Sequence, residues 1–231
     1  MTERAETISV IIPALNEADT IAATLKAVTE QRWRSGRSEV IVVDGGSRDR
    51  TREIAGPYAR VIEGKRGRAA QMNMGVRHAS GDILLFLHAD TVIPQGAFEE
   101  IAEGLKRPGV TAGSFRLRFD TSRPFLGFLT FFTRFGWWWA RYGDQGLFLT
   151  RKTFEKLGGF KDIPIMEDVD IIRRLRRRGR LHIIQDPVVT SARRYLDRGI
   201  YRQHFLNLFL FAAYFCGVSP ERLKKLYDDA R

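Results

Sequence analysis

The segment Ile83-Leu84-Leu85-Phe86-Leu87-His88-Ala89-Asp90-Thr91 is a short apolar run that passes directly into polar side chains. Two runs of the same kind, Ile8–Ile12 and Val40–Val43, come before it. Unbroken apolar runs of this length are typical of strands buried on both faces, as in a parallel sheet. Helical patterns lie between the runs, so the sequence predicts an α/β protein with a doubly wound, mostly parallel sheet flanked by helices. Ligands of such sheets bind beyond the carboxyl ends of the strands.

The predicted helices of this first part follow closely on the strands. The first has Asn16 as its N-cap, the second starts near Ser47 or Asp49, and the third starts near Arg66. The later predicted elements are two strands, a basic helix after an acidic turn, an apolar helix and a short tail helix: Val110–Phe119, Leu147–Thr150, Ile163–Gly179, Ile200–Cys216 and the segment from Pro220. With neither a repeat nor a linker in the chain, we expect one domain over residues 1–231.

The composition excludes several classes of protein. Of 231 residues, 44% are hydrophobic and 28% are charged, which is enough for a sizeable core and argues against disorder. The one cysteine, Cys216, excludes an intramolecular disulfide and a Cys/His zinc cluster and is compatible with a reducing compartment. Met1–Thr7 has no apolar signal core, and Leu208–Val218 is shorter than the ~20 residues of a spanning helix. We therefore expect a cytoplasmic protein that can at most touch the inner face of a membrane.

The chain is strongly basic, with 38 Lys and Arg against 27 Asp and Glu, a net charge of +11. Such a balance favours anionic partners: nucleic acid, phosphorylated metabolites or an acidic membrane face. The densest cluster is the six arginines of Arg173–Arg180, for which a solvated helix face is the favoured interpretation. Contact with a diphosphate, a phosphorylated acceptor or a membrane are the alternatives. Nucleic acid is not expected, because neither stacking platforms nor a recognition motif accompany the charges.

Acidic and polar residues follow each of the three predicted strands. Asp44, at the end of the second strand, could accept hydrogen bonds from a base or a ribose, or with Ser47 it could simply cap the next helix. Strand alternation would place His88 and Asp90 on one face. A carboxylate there can hold Mg²⁺ or Mn²⁺, and imidazole is an acceptable second ligand for Mn²⁺. A lone histidine, by contrast, is more often a half-buried residue without a ligand.

A further acidic group, Met166–Asp170, enters the predicted basic helix. Acidic side chains in a first helical turn commonly complement the helix dipole, which is the favoured interpretation for Glu167 and Asp170. The functional alternative is that one carboxylate of this group is a general base directed at an acceptor hydroxyl.

Taken together and in this order, four segments resemble the family 2 glycosyltransferases of the GT-A fold: Pro13–Glu17, Asp44–Thr51, Gly67–Asp90 and Glu167–Asp168. Three segments resemble a narrower bacterial subgroup labelled arsenosugar-biosynthesis glycosyltransferases: Gly67–Gly75, Leu84–Thr91 and Gly143–Gly146. The resemblance implies a nucleotide-binding half (1–91), an acceptor and catalytic half (92–199) and C-terminal helices (200–231). It extends from Ser9 to Gly179.

The resemblance also implies the chemistry. A hexosyl group would move from a nucleoside diphosphate sugar, expected to be UDP-linked, to a hydroxyl acceptor with inversion, with Asp168 as general base and Asp144 as second choice. Mn²⁺ or Mg²⁺ would bind Asp90, with His88 as a further ligand. The residues implied in nucleotide-sugar binding are Pro13, Ala14, Glu17, Asp44, Gly46, Ser47, Gly67, Asn73, His88, Ala89 and Asp90. Those implied on the acceptor side are Gly143, Asp144, Gln145 and Glu167.

Two positions depart from the family pattern. His88 stands where the family usually has the first aspartate of Asp-x-Asp, which leaves the metal's identity open. Met72 stands where many members carry arginine, which weakens any inference about the donor. A nucleotidyltransferase of related fold, or a basic, membrane-associated binding module without activity, are the alternative functions.

Two aromatic segments have no assigned role. Phe125–Phe135 is followed by Trp137, Trp138 and Trp139, and Leu208–Phe215 forms a second apolar stripe. They could be core, an acceptor wall or an interfacial anchor. The favoured interpretation is that they pack on each other or across a homodimer. Exposure of both would instead favour a lipid-linked acceptor or peripheral membrane contact.

Overall fold

The computed structural model describes residues 6–33, 36–135 and 143–229. Its strands are β1 Glu6–Ala14, β2 Gly36–Asp44, β3 Arg60–Glu63, β4 Ile83–Phe86, β5 Thr91–Val92, β6 Val110–Phe119, β7 Leu147–Thr150 and β8 Arg180–Thr190. Its helices are α1 Ile21–Thr29, α2 Thr51–Ala55, α3 Arg68–His78, α4 Ala97–Lys106, α5 Pro124–Phe131, α6 Arg151–Leu157, α7 Glu167–Arg176, α8 Arg193–Arg198, α9 Ile200–Phe215 and α10 Pro220–Asp229. In these ranges, none of the helices combines the length and apolarity needed to span a bilayer.

The strands form one sheet in the order β3-β2-β1-β4-β7-β6-β8-β5. In the first half, β1 pairs in parallel with β2 and β4, and β2 pairs in parallel with β3. Strand β7 joins the halves by antiparallel pairing with β4 on one side and β6 on the other. Beyond it β8 lies parallel to β6 and antiparallel to β5. The predicted α/β class, the parallel first half and the C-terminal helical segment are confirmed.

The apolar runs are unbroken because helices cover both faces of the sheet. On one face Ile8, Val10 and Ile12 join a core with side chains of α1 and α4, including the fully buried Phe98. On the other face Ile11 packs in a second core with side chains of α3, α6 and α7. A third, smaller cluster of Ile165, Leu210 and Leu223 attaches α9 and α10 to the loop before α7.

Three local predictions are wrong. Helix α1 starts at Ile21 instead of after Asn16, whose φ of 55° lies in the left-handed region and whose side chain accepts a hydrogen bond from the loop after β2. Strand β4 ends at Phe86, and residues 89–90 form a turn, so strand alternation does not set the direction of His88 and Asp90. Strand β8 lies in a segment that was not predicted as a strand, since the exposed residues Gln185 and Asp186 and then Pro187 interrupt its apolar pattern.

Among the described residues, the two aromatic segments pack on each other in part, and packing across a homodimer stays a prediction. Phe125 of α5 contacts the rings of Tyr201 and His204 on α9. Large side chains of both helices nevertheless remain exposed, among them Phe128 and Phe205. The three tryptophans at 137–139 lie outside the described residues.

Candidate active site

A cavity of about 700 Å³ opens beyond the carboxyl ends of β1 and β4. Its walls come from the loop after β1, the turn after β4, the starts of α3 and α7, and helices α8 and α9. The predicted site residues that line it are Pro13, Ala14, Glu17, Gly67, His88, Ala89, Asp90, Asp144 and Asp168. The fold therefore brings the two implied catalytic groups, Asp90 and Asp168, to one cavity although the chain separates them widely.

Backbone contacts fasten the loops after β1 and β2 to each other. The Asn16 N–H donates to Ser47 Oγ at 2.9 Å, and the Glu17 N–H donates to Thr51 Oγ1 at 2.8 Å. In return the Arg48 N–H donates to Asn16 Oδ1 at 2.9 Å. Ser47 thus links the loop after β2 to the loop after β1, although it does not line the large cavity. Within the described ranges Asn16 and Met166 are the non-glycine residues with positive φ, and both line the cavity, where backbone strain often accompanies function.

The Asp44 carboxyl is fully buried and does not line the large cavity. Its Oδ2 accepts hydrogen bonds from the N–H groups of Gly46 and Ser47 at 3.1 and 3.0 Å, so it caps this turn. Its Oδ1 has no hydrogen-bond partner among the described residues. Gly45 and Gly46 line a second hollow of about 270 Å³, which shares Leu15, Asn16 and Arg66 with the large cavity. Asp44 therefore fixes the backbone of the turn that lines this hollow.

Two polar side chains of α3 hold the surrounding loops in place. The Gln71 side-chain amide is buried and donates to the carbonyls of Ala14 and Val43 at 2.9 and 2.7 Å, which joins the ends of β1 and β2. Asn73 donates to the Phe160 carbonyl at 2.8 Å and accepts from the Phe160 N–H at 3.0 Å. Because both ends of its amide are used in this way, Asn73 anchors the loop before α7 and is not brought to the cavity.

An ion pair holds the start of α7. Arg68 Nε lies 2.6 Å from Glu167 Oε1, and the Glu167 side chain is only 2% exposed. Burial raises the pKa of the Glu167 carboxyl, and the neighbouring Arg68 only partly opposes this. Glu167 in turn raises the pKa of the Arg68 guanidinium. Glu167 does not line the cavity, but by fixing the first turn of α7 it fixes the next residue, Asp168, which does.

Asp144 is the centre of a charged group inside the cavity. His88 Nδ1 lies 3.4 Å from Asp144 Oδ1. Burial works to raise the pKa of Asp144, but His88, Arg194 and Arg68 together outweigh it and hold that pKa below its ordinary value. Burial works to lower the pKa of Arg194, but Asp144, Asp90 and Tyr227 together outweigh it and raise that pKa. Gly143 begins the short 3-10 turn that carries Asp144, and Gln145 ends it fully buried, away from the cavity lining.

The family model for glycosyl transferase family 2 matches residues 9–160. The chain belongs to this family. AglE of Haloferax volcanii, a glycosyltransferase, is 40% identical over 98 residues, which are 39% of this chain and 32% of that protein. The poly-beta-1,6-N-acetyl-D-glucosamine synthase of Staphylococcus epidermidis is 32% identical over 130 residues, 52% of this chain and 31% of that protein. The chain thus spans about a third of the length of these relatives.

Solved structures confirm the GT-A fold. S. aureus TarS 1–349 in complex with UDP superimposes with a TM-score of 0.66 at 16% identity, over 80% of this chain and 60% of that one. The mannosyltransferase PcManGT from Pyrobaculum calidifontis, in complex with GDP-Man and Mn²⁺, superimposes with a TM-score of 0.67 at 24% identity, over 99% of this chain and 70% of that one. Membership of the narrower subgroup labelled arsenosugar-biosynthesis glycosyltransferases stays a prediction.

Asp90 and His88 give this family 2 domain a small donor set for a divalent ion. The hydroxyls of Thr91 and Thr190 lie 3.4 and 3.5 Å from Asp90 Oδ1 and orient it. In the described parts of the chain, no three His, Cys, Asp or Glu side chains group as a complete metal site. The Asp90 carboxylate fits Mg²⁺ or Mn²⁺ when a diphosphate supplies further oxygen ligands, whereas the His88 imidazole fits Mn²⁺ and is a poor ligand for Mg²⁺.

The arginines that line the cavity were not predicted from the sequence. Arg68, Arg193 and Arg194 all line it, and Arg193 Nη2 lies 2.9 Å from Glu17 Oε2. The pair Arg193-Arg194 follows β8, so recognising that strand would have been the signal. The arginine cluster of α7 instead lies outside the cavity lining and is mostly exposed, as the solvated-face interpretation predicts. Arg174 is the exception, since it pairs with Asp170 at 2.6 Å and donates to two carbonyls.

Proposed function

We propose that the chain transfers a glycosyl group from a nucleoside diphosphate sugar to a hydroxyl acceptor. The observation that carries this proposal is the meeting of Asp168, Asp90 and a group of arginines in one cavity of a GT-A sheet. Support also comes from neighbours in complex with UDP, UDP-GlcNAc and GDP-Man. A UDP-linked sugar is the first donor to test, and GDP-mannose is its rival.

Asp168 is the proposed general base. It lies on the cavity wall in the first turn of α7, where the neighbouring Arg68–Glu167 pair fixes the backbone. The acceptor oxygen would attack the anomeric carbon while its proton passes to the Asp168 carboxylate and the bond to the diphosphate breaks. One displacement of this kind inverts the anomeric configuration. A positioned base contributes typically ~10²–10⁴-fold to the rate.

Asp144 is less suited to the role of base. The cations around it hold its pKa low, which makes its carboxylate a weaker proton acceptor. An ionised carboxylate that lines the cavity can instead accept hydrogen bonds from hydroxyls of the transferred sugar. Its contact with His88 orients the imidazole, which lines the same cavity as Asp90.

The leaving diphosphate would be stabilised by positively charged side chains of the cavity. Arg68 and Arg194 line the cavity and are close enough to Asp144 to shift its pKa, so their guanidinium groups can bind diphosphate oxygens and stabilise the charge that develops there. Asp90, with His88, would hold a divalent ion, which when bound supplies further charge neutralisation at the same group.

The first test compares the wild-type chain with Asp168→Asn. Each is incubated with UDP-glucose, UDP-GlcNAc or GDP-mannose with and without Mn²⁺, and release of the nucleoside diphosphate is measured together with thermal stabilisation by the donor. We expect Asp168→Asn to lower turnover by about 10²–10⁴-fold while donor binding is retained.

Asp162→Asn is the matched control, because Asp162 is an exposed acid in the loop before α7 and lies outside the cavity lining. It should leave turnover unchanged. Undiminished turnover by Asp168→Asn would contradict the assignment of the base. Release of pyrophosphate from a nucleoside triphosphate and a sugar phosphate would instead establish the nucleotidyltransferase alternative.

A further inference from the structure

A chain of side-chain hydrogen bonds joins α8 to α9 and ends at the cavity. Arg198 Nη1 donates to Gln203 Oε1 at 3.4 Å, and Gln203 Nε2 donates to Asn207 Oδ1 at 2.7 Å. Asn207 Nδ2 then donates to the Tyr195 hydroxyl oxygen at 3.2 Å. Tyr195, Arg198 and Asn207 line the cavity, whereas Gln203 is buried and is not part of the lining. The Gln203 amide therefore links side chains of the cavity wall without belonging to that wall.

The direction of this chain follows from the chemistry of its members. A guanidinium has donors only, so Arg198 faces the oxygen of the Gln203 amide. Gln203 then has only its NH₂ group for Asn207, and Asn207 in turn has only its NH₂ group for Tyr195. The Tyr195 hydroxyl oxygen accepts this last bond and has no other hydrogen-bond partner among the described residues. Its own proton is therefore available to a ligand in the cavity.

The surroundings of Tyr195 keep its hydroxyl protonated and fixed in place. Burial raises the pKa of Tyr195, and the nearby Asp144 carboxylate adds to this, so the hydroxyl remains a donor at neutral pH. Its ring packs edge-on against Phe119, with 5.2 Å between the ring centroids. Successive hydrogen bonds polarise one another, and here the first donor is the charged guanidinium of Arg198. The Tyr195 hydroxyl is thus a neutral donor of more than ordinary strength.

Tyr195 belongs to the charged group around Asp144. The charge of Asp144 acts on both Tyr195 and Arg194, and Arg68 acts on Asp144 from the same cavity. Arg68 and Arg194 are the arginines proposed above to bind the diphosphate. Because ionised oxygens accept the strongest hydrogen bonds, an anionic oxygen suits the Tyr195 hydroxyl as well as the two guanidinium groups.

We propose that the Tyr195 hydroxyl donates a hydrogen bond to an oxygen of the leaving diphosphate, and that Gln203 directs its proton there through Asn207. The inference rests on the proposed function, because it assigns a further ligand to the same diphosphate. Negative charge develops on the diphosphate as its bond to the sugar breaks, so this hydrogen bond would strengthen towards the transition state. Gln203 is a positioning residue, since it would act without touching the substrate.

The experiment measures the binding of UDP and of GDP to the whole chain by titration calorimetry in the presence of Mn²⁺. Tyr195→Phe removes the hydroxyl and should weaken binding about 10–100-fold, because a hydrogen bond to a charged group is lost. Gln203→Glu should weaken binding to a similar extent. The introduced carboxylate can only accept, so the Asn207 amide must turn over and present its oxygen to Tyr195, which draws the hydroxyl proton away from the cavity.

The double variant separates this mechanism from a direct effect of the added charge. If Gln203→Glu acts through the Tyr195 proton, combining it with Tyr195→Phe should weaken binding no further than Tyr195→Phe alone. Additive losses would overturn the role of Gln203.

Tyr201→Phe is the matched control, because Tyr201 is an exposed tyrosine of α9 outside the cavity lining and should bind the nucleotide like the wild type. Thermal unfolding of each variant reports that it is folded. Wild-type affinity in Tyr195→Phe would overturn the proposal and leave the proposed function intact. A wild-type chain that binds neither UDP nor GDP would overturn both.

Discussion

Arg68 and Glu167 are the pair of residues on which the placement of Asp168 depends most directly. The Glu167 carboxyl is buried, and its Oε2 has no hydrogen-bond partner among the described residues. An ionised carboxylate in such a position costs free energy unless a cation remains beside it. Arg68 is 39% exposed, so it combines contact with Glu167 and a place on the cavity wall. One arginine thus serves both the local fold and the proposed diphosphate site.

Arg68→Gln should lower the free energy of unfolding by about 2 kcal/mol at neutral pH, less than for a fully buried pair because solvent screens the exposed guanidinium. The folded state already raises the pKa of Glu167 above its ordinary 4.5. An acid whose pKa is raised on folding loses stability as the pH rises, so the deficit should be small below pH 4.5 and grow above it. Urea unfolding at several pH values measures this.

Glu167→Gln in the Arg68→Gln background is the control, because it removes the unpaired charge and should restore most of the lost stability at neutral pH. A deficit that does not vary with pH, or one that Glu167→Gln fails to reduce, would show that the pair is not the cause.

At the scale of elements, α3 is the helix that organises the site. Gln71 joins it to the ends of β1 and β2, and Asn73 joins it to the loop before α7. Gly75 lets it approach the sheet closely, because a Cβ at that position would lie 2.4 Å from Ile11 Cγ2. A shift of α3 would therefore displace the loops of both halves of the cavity together.

Gly75→Ala should lower the free energy of unfolding by about 1–3 kcal/mol, because the added methyl group must push α3 away from β1. The same shift should weaken thermal stabilisation by a nucleotide-sugar donor. Gly127→Ala is the matched control on α5, where a Cβ would meet no atom within 4 Å. The control should be neutral or stabilising by up to about 1 kcal/mol, since alanine favours the helix. Equal effects of the two substitutions would contradict the packing argument.

At the scale of the whole molecule, the sheet continues without a break from the first half to the second. Residues of β4 pair with β7 in antiparallel register, for example Leu84 with Leu149. The Phe115 and Phe148 rings, 5.8 Å apart, belong to the core that also contains Ile8 and Phe98. The proposed nucleotide-binding and acceptor halves therefore share their hydrophobic core, and we propose that they form a single domain.

A single domain of this kind should unfold in one transition. Scanning calorimetry should give equal calorimetric and van't Hoff enthalpies, and circular dichroism and fluorescence should report the same midpoint. A nucleotide-sugar donor at about 100 times its Kd should stabilise the whole transition by about 2.7 kcal/mol. Two separated transitions, with the donor shifting only one of them, would show instead that the halves fold independently.

Local sequence pattern was sufficient for β1, β2 and β4, but not for the short parallel strand β3, and for several helices, among them α3, α7 and α9. A strand covered on both faces must be apolar at every position, and this requirement is visible without knowledge of its partners. The resemblance was sufficient for the family, and it is carried by Pro13–Glu17, Asp44–Thr51, Gly67–Asp90 and Glu167–Asp168. Placement of Asp90 and Asp168 in one cavity agrees with what that resemblance implied.

Only the tertiary structure decided which polar groups face the cavity and which serve the fold. Asp44 caps a turn, Asn73 holds the Phe160 backbone, and Arg194 enters the cavity from a segment without a sequence signal. It also decided that the side chains of Phe205 and Phe209 on α9 are exposed. The physical reason is that the spacing of apolar residues along a segment shows which of its faces is buried. The hydrogen-bond partner of a polar side chain, and the residues that pack over it, come from segments far away in the chain, so the local pattern does not contain them.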